Sequence, residues 1–146
     1  MSLTEWLQHR FLAAHATSPQ EIADLLAITR RDLREASSAT HCPEWKLAIA
    51  FNAALQAATT ALAAAGYRAA KGSGHHHYTL QSLRFTVGLD SETLLMLQTV
   101  KRKRDKSDYE RAGGVSAQEA LDAIALATQV VTRVREWLQA EHPDLM

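Results

Sequence analysis

Apolar residues recur at three-and-four spacing along most of the chain, and β-branched residues never alternate with polar ones over a strand's length. The pattern predicts helices and no other regular element. Over about Pro19 to Ser37, Ile22, Leu25, Leu26, Thr29, Leu33 and Ala36 fall on one face and charged residues on the other. From Pro43 to about Ala65 the polar face disappears. Alanines stand on nearly every side, which suits a helix packed by several neighbours at the centre of a bundle, and Gly66 supplies a left-handed stop. Tyr67 to Gly74 reads as a loop, His76 to Val87 as a short helix, and Ser91 to Tyr109 as a longer one after a turn near Gly88 and Asp90. The last helix, Ala117 to Ala140, carries the stripe Ala120, Leu121, Ile124, Ala127, Val131, Val134 and Leu138. Ser2 with Glu5, Ser18 with Pro19 and Glu21, and Ser116 with Glu119 fit capping boxes, and Trp6, Trp45 and Trp137 read as core anchors at helix ends. Short connections favour antiparallel neighbours. The predicted fold is an all-α antiparallel helical bundle, four main helices plus short ones, forming one domain over residues 1–146.

Charge narrows the partners. Lys plus Arg number 16 and Asp plus Glu 16, so no global field holds the protein on nucleic acid or an anionic membrane, and any such contact must come from a local cluster. The single cysteine, Cys42, makes no intrachain disulfide and has no zinc-ligand spacing around it. Met1 to Arg10 contains no uninterrupted apolar run, and Leu47 to Gly66 is mostly alanine and broken by Asn52, Gln56, Thr59 and Thr60. Neither segment reads as a signal peptide or a membrane span, and a cytoplasmic location is expected.

The local cluster is Lys101, Arg102, Lys103, Arg104 and Lys106, five basic residues in six positions interrupted by Asp105. Cations at a helix C-terminus complement the macrodipole, so a solvated helix end accounts for the charge alone. The helical register separates the cluster. Four residues beyond the inward stripe Leu94, Leu97 and Val100 stands Arg104, directed toward the core, while Arg102 and Lys103 face water. An arginine on that line needs an anion, and Asp105, Asp108 or a bound phosphate are the candidates. Consecutive His75, His76 and His77 cannot all face one ion and have no acidic or cysteine partner at ligand spacing, so no metal is expected. Gly72-Ser73-Gly74 lacks the full phosphate-loop pattern. Asn52, amid the apolar third helix, reads as a buried amide that orders neighbouring helices. No cofactor is called for.

The stretch Arg104-Asp105-Lys106-Ser107-Asp108-Tyr109, after a basic helix and before a glycine break and a capped final helix, resembles the motif region of HEPN domains. These are all-helical proteins common in bacterial toxin and antiphage systems. Gly74-His75-His76-His77-Tyr78-Thr79-Leu80-Gln81-Ser82-Leu83 is similar to the family's glycine-histidine helix start with paired leucines. Trp45 to Leu55, running on to Gly66-Tyr67-Arg68, is similar to a small actinobacterial-type branch. The resemblance implies that Arg104 is the motif arginine, Asp105 its polar follower and Tyr109 the residue standing where ribonucleases of the family have histidine. Tyrosine, with a pKa near 10, is a poor general base at neutral pH. A second match, Arg68 followed by His75, has the allowed spacing but crosses the Gly72-Ser73-Gly74 loop. The tyrosine that a companion nucleotidyltransferase modifies in such systems falls at Arg111 here.

The resemblance thus implies an RNA- or nucleotide-binding module, catalytically degenerate, in which Arg104, Asp105 and Tyr109 form the motif and Lys101, Arg68 and His75 contact the ligand. It also implies a homodimer or a nucleotidyltransferase partner. Two alternatives stay open: an active metal-independent endoribonuclease toxin, and a protein-interaction bundle without catalysis.

Overall fold

The computed structural model describes residues 1–109 and 114–146, and only the backbone of residues 107–109. Its element order is α1 (Leu3–Gln8), β1 (Leu12–Ala14), α2 (Pro19–Ala36), α3 (Pro43–Ala64), β2 (Tyr67–Ala69), α4 (His75–Gln81), α5 (Leu83–Thr86), α6 (Ser91–Tyr109), α7 (Ala117–Glu141) and a final 3-10 turn over Pro143–Leu145. The protein is an all-α helical bundle whose four long members are α2, α3, α6 and α7. Helix α3 is its axis and touches α2, α6 and α7. Its small residues make this possible: Ala50, Ala53, Ala57, Ala58 and Ala61 are buried, so neighbouring helices pack against backbone on several sides. By length and composition α3 is apolar enough to cross a bilayer, contrary to the expectation from its alanines, but 67% of its apolar 18-residue stretch is buried in the protein.

Helices α2 and α3 are tied by one buried polar contact. Asn52 Nδ2 donates to Asp32 Oδ2 at 2.6 Å, and Arg31 reaches the other oxygen of the same carboxylate at 3.0 Å. Asp32 is only 5% exposed although it lies among the charged residues of its helix in sequence. Asn52→Leu removes the donor and leaves a buried carboxylate oxygen unsatisfied, so a loss of about 1–3 kcal/mol is expected. Urea unfolding measures it, and an unchanged midpoint would show that the link does not hold the pair together.

Two short strands interrupt the expected all-helical pattern: β2 takes the first three residues of the expected Tyr67–Gly74 loop, and β1 lies between α1 and α2. β1 and β2 pair antiparallel in the register Leu12 with Ala69, Ala13 with Arg68 and Ala14 with Tyr67. A three-residue strand is too short to show alternation, which is why periodicity misses it. The ladder is extended by His15 N donating to Gly66 O and Ala70 N to Phe11 O. It anchors the chain start to the end of α3, which closes at Gly66 with φ of 97°.

Beneath this ribbon lies a second, aromatic core. Trp6 meets the edges of Tyr78 and Phe85 at centroid distances of 5.2 and 5.1 Å, and Phe11 stacks on Tyr78 at 4.5 Å. Gly74 starts α4 at φ of 85°, and a Cβ there would lie 3.1 Å from the Tyr78 ring. The left-handed backbone favours glycine there, and any Cβ would crowd the ring. The aromatic core and this turn together aim the histidine end of α4. The expected helix from His76 to Val87 is two helices that divide at Ser82.

Other local expectations also shift. Ser116 and Glu119 form a full capping box, whereas at Ser2 and Ser18 only the hydroxyl half is made. Glu21 turns instead to His15 and Thr17. Trp45 is 64% exposed and Leu121 55%, so neither is core, while Trp6 is buried and Trp137 packs at the core's edge.

Candidate functional site

Helix α6 starts from Asp90, whose carboxylate accepts from the amide and hydroxyl of Thr93. From that start Leu94 and Leu97 are buried and Val100 packs against the core. Arg104 continues the stripe. Its guanidinium lies over the Phe51 ring of α3, 4.5 Å from the centroid, and its side chain is 21% exposed. A planar cation on an aromatic face is held without losing its hydrogen-bonding edge.

That edge is engaged by Asp105. Arg104 donates from Nε and Nη2 to Asp105 Oδ1 at 3.1 and 2.7 Å, and Lys101 Nζ donates to Oδ2 of the same carboxylate at 3.1 Å. One anion therefore spaces two cations a turn apart. Burial pushes the Asp105 carboxyl up, but hydrogen bonds from Arg104 and Lys101 and their charges outweigh it and hold it below the usual range. Lys103 is partly exposed, in line with its register, and pairs with Glu119 of α7 at 2.8 Å. Arg102 is exposed.

The third partner comes from α4. His76 is half-buried, whereas His75 and His77 are exposed. Burial first, then the positive charges of Arg104, His75 and Lys101, hold the His76 imidazole below its usual pKa, with Asp105 opposing them. A neutral imidazole is thus placed within the field of two cations. Gly72, Gly74, the three histidines and Lys101 border an open depression of about 330 Å³ beside it. Such a concavity, with Lys101 at one wall, Arg104 nearby and a neutral base at another wall, suits a phosphate group next to an exchangeable proton.

Of the residues singled out in the sequence, Lys101, Arg104 and Asp105 come together. The Tyr109 side chain and Arg111 lie outside the described residues. Arg68 is exposed on β2 and shares a different concavity with His75. The residue that sequence reasoning passed over is His76. Three consecutive histidines give no register until Gly74 fixes where the helix begins, and only then does the middle one turn to α6.

A larger cavity of about 390 Å³ opens between α6 and α7, lined by Leu47, Leu95, Met96, Val100 and Leu126. Charges of both signs rim it, Glu92 and Asp122 beside Lys103 and its partner Glu119, so no basic cluster converges there. Among the described residues no group of three His, Cys, Asp or Glu is placed to hold a metal ion. No protein-family model, curated protein or solved structure matches this chain.

Proposed function

We propose that the protein binds single-stranded RNA or a nucleotide by its phosphate, at the end of α6 where Lys101 and Arg104 meet His76. One observation carries this reading: elements far apart in sequence bring Lys101 and a neutral imidazole to one open depression, and the charge of Arg104, beside Lys101 on Asp105, also bears on that imidazole. The HEPN resemblance of the same stretch supports it. With that resemblance comes the proposal of a toxin–antitoxin setting, in which a second copy or a nucleotidyltransferase partner completes the site.

Proton linkage gives the test. His76 titrates below its usual value because burial, and after it the charges of Arg104, His75 and Lys101, disfavour its protonated form. A bound phosphate cancels those charges and raises its pKa, so binding takes up a proton. Affinity for a short single-stranded RNA should therefore rise as pH falls below about 6.5, and His76→Gln should flatten that rise while leaving binding at pH 8 unchanged. Equilibrium binding at low salt measures both, and a pH-independent affinity in the unaltered protein would remove His76 from the site.

The same neutral imidazole favours one second reading, a metal-independent endoribonuclease in which Arg104 holds the scissile phosphate and His76 takes the 2′-hydroxyl proton as that oxygen bonds to phosphorus, the bond to the 5′-oxygen breaks and the departing oxygen takes a proton from water. Incubation with RNA in the presence of a chelator distinguishes the two. Cleavage that is lost in His76→Gln with binding retained would establish the enzyme; intact RNA leaves the binding module.

A further inference from the structure

On the other side of His75 a smaller concavity, of about 220 Å³, opens between α2, α3, β2 and α4. Its wall includes Leu25, Leu62 and Tyr67, and Tyr67 is itself packed against the aromatic core. One carboxylate is fixed at its edge. His15 Nε2 lies 2.7 Å and Thr17 Oγ1 2.6 Å from Glu21 Oε1, so both contacts fall on one oxygen and neither uses Oε2. Those hydrogen bonds hold Glu21 below the usual carboxylate range against the opposing effect of burial. At neutral pH it is a charged acceptor held in place.

The combination is selective. Arg68 also borders the concavity, so charge alone does not exclude phosphate; the fixed carboxylate adds an acceptor for a ring N–H or an exocyclic amine, and an aromatic side chain stacks on a flat ring. The volume lies under the range of about 300–1,000 Å³ usual for larger ligands and admits one ring system. His75 borders both this concavity and the Lys101 depression, so the two are adjacent on the surface.

We propose that this concavity receives one amine-bearing nucleobase of the bound strand, with Tyr67 as stacking wall and Glu21 as acceptor, while the adjoining phosphate lies at Lys101 and Arg104. The assignment rests on the phosphate-binding reading and adds the base to it. It makes the ligand a nucleotide unit read by its base, which a phosphate site alone does not require.

The experiment compares a short oligoadenylate with the abasic ribose–phosphate oligomer of the same length, at low salt, on the full chain. The oligoadenylate is expected to bind at least about tenfold tighter, the lower part of what stacking of one base supplies. Thr59→Phe fills the concavity, and since the Thr59 hydroxyl bonds only the Leu55 carbonyl of its own helix, no hydrogen bond between elements is removed. It should bring oligoadenylate binding down to the abasic level and leave abasic binding unaltered. Glu21→Gln, with shape retained, should lose part of the difference and serves if Thr59→Phe fails to fold by circular dichroism. Equal affinity for both oligomers, each still dependent on Arg104, would overturn the base pocket and leave the phosphate reading standing. Absence of binding by either oligomer would overturn the phosphate reading and this assignment with it.

Discussion

Arg104→Ala is expected to weaken binding of single-stranded RNA by about tenfold to a hundredfold, the equivalent of one charge-assisted hydrogen bond of about 1.5–3 kcal/mol. The size follows from how the side chain is held. Stacked on Phe51 and braced by Asp105, the guanidinium has already given up most of its rotamer freedom, so little ordering remains when a phosphate arrives. Arg104→Lys should recover only part of the affinity, because an ammonium keeps the charge but neither the planar face on Phe51 nor the two-nitrogen fork. The slope of affinity against salt should also become shallower, by about 0.7 for each phosphate that the protein no longer neutralises. Fluorescence polarisation across a salt series measures all three effects. Affinity within twofold of the unaltered protein would leave Arg104 as a packing residue and the basic cluster as a solvated helix end.

Arg104 is legible before folding and His76 is not, for a physical reason. The long helices are amphipathic or uniformly small, and their register carries directional information: Leu94, Leu97, Val100 and Arg104 lie on one line because 3.6 residues make a turn, whatever surrounds them. Asp105 is next in the chain, so its pairing is local too. His76 depends on a relation between helices. The aromatic contacts of Tyr78 with Trp6 and Phe11, at the far end of the chain, orient α4, and no spacing rule contains them. The strands fail to show for a related reason. Leu12 to Ala14 and Tyr67 to Ala69 are alanine-containing triplets made into strands only by each other. Trp45 misleads in the opposite direction: a large apolar residue at a helix start invites burial, but its position on α3 turns it outward, and periodicity is weakest in a helix so rich in alanine. Buried Asp32 is hidden by its neighbours Arg30, Arg31, Arg34 and Glu35, which mark the segment as a charged face.

The strongest coupling between fold and site is expected at Phe51. The ring is 1% exposed, and truncation to alanine in a closely packed core costs about 3–5 kcal/mol, a large share of the stability of a domain this size. It also removes the surface on which Arg104 lies, so a loss of RNA binding in Phe51→Ala would not by itself separate the two causes. Phe51→Leu does. It keeps an apolar side chain in the core and lowers stability less, but it has no negative ring face for the guanidinium. A double-mutant cycle of Phe51→Leu with Arg104→Ala, read by urea unfolding, should give a coupling of about 0.5–2 kcal/mol, the range for a cation on an aromatic face that is partly withdrawn from water. RNA binding measured where both single variants are folded should fall in Phe51→Leu although no atom of residue 51 reaches the ligand. If the two substitutions are additive in stability, and Phe51→Leu binds RNA as tightly as the unaltered protein, then the Phe51 ring does not position Arg104. The link from the alanine-rich central helix to the proposed phosphate site would then be broken at its first step.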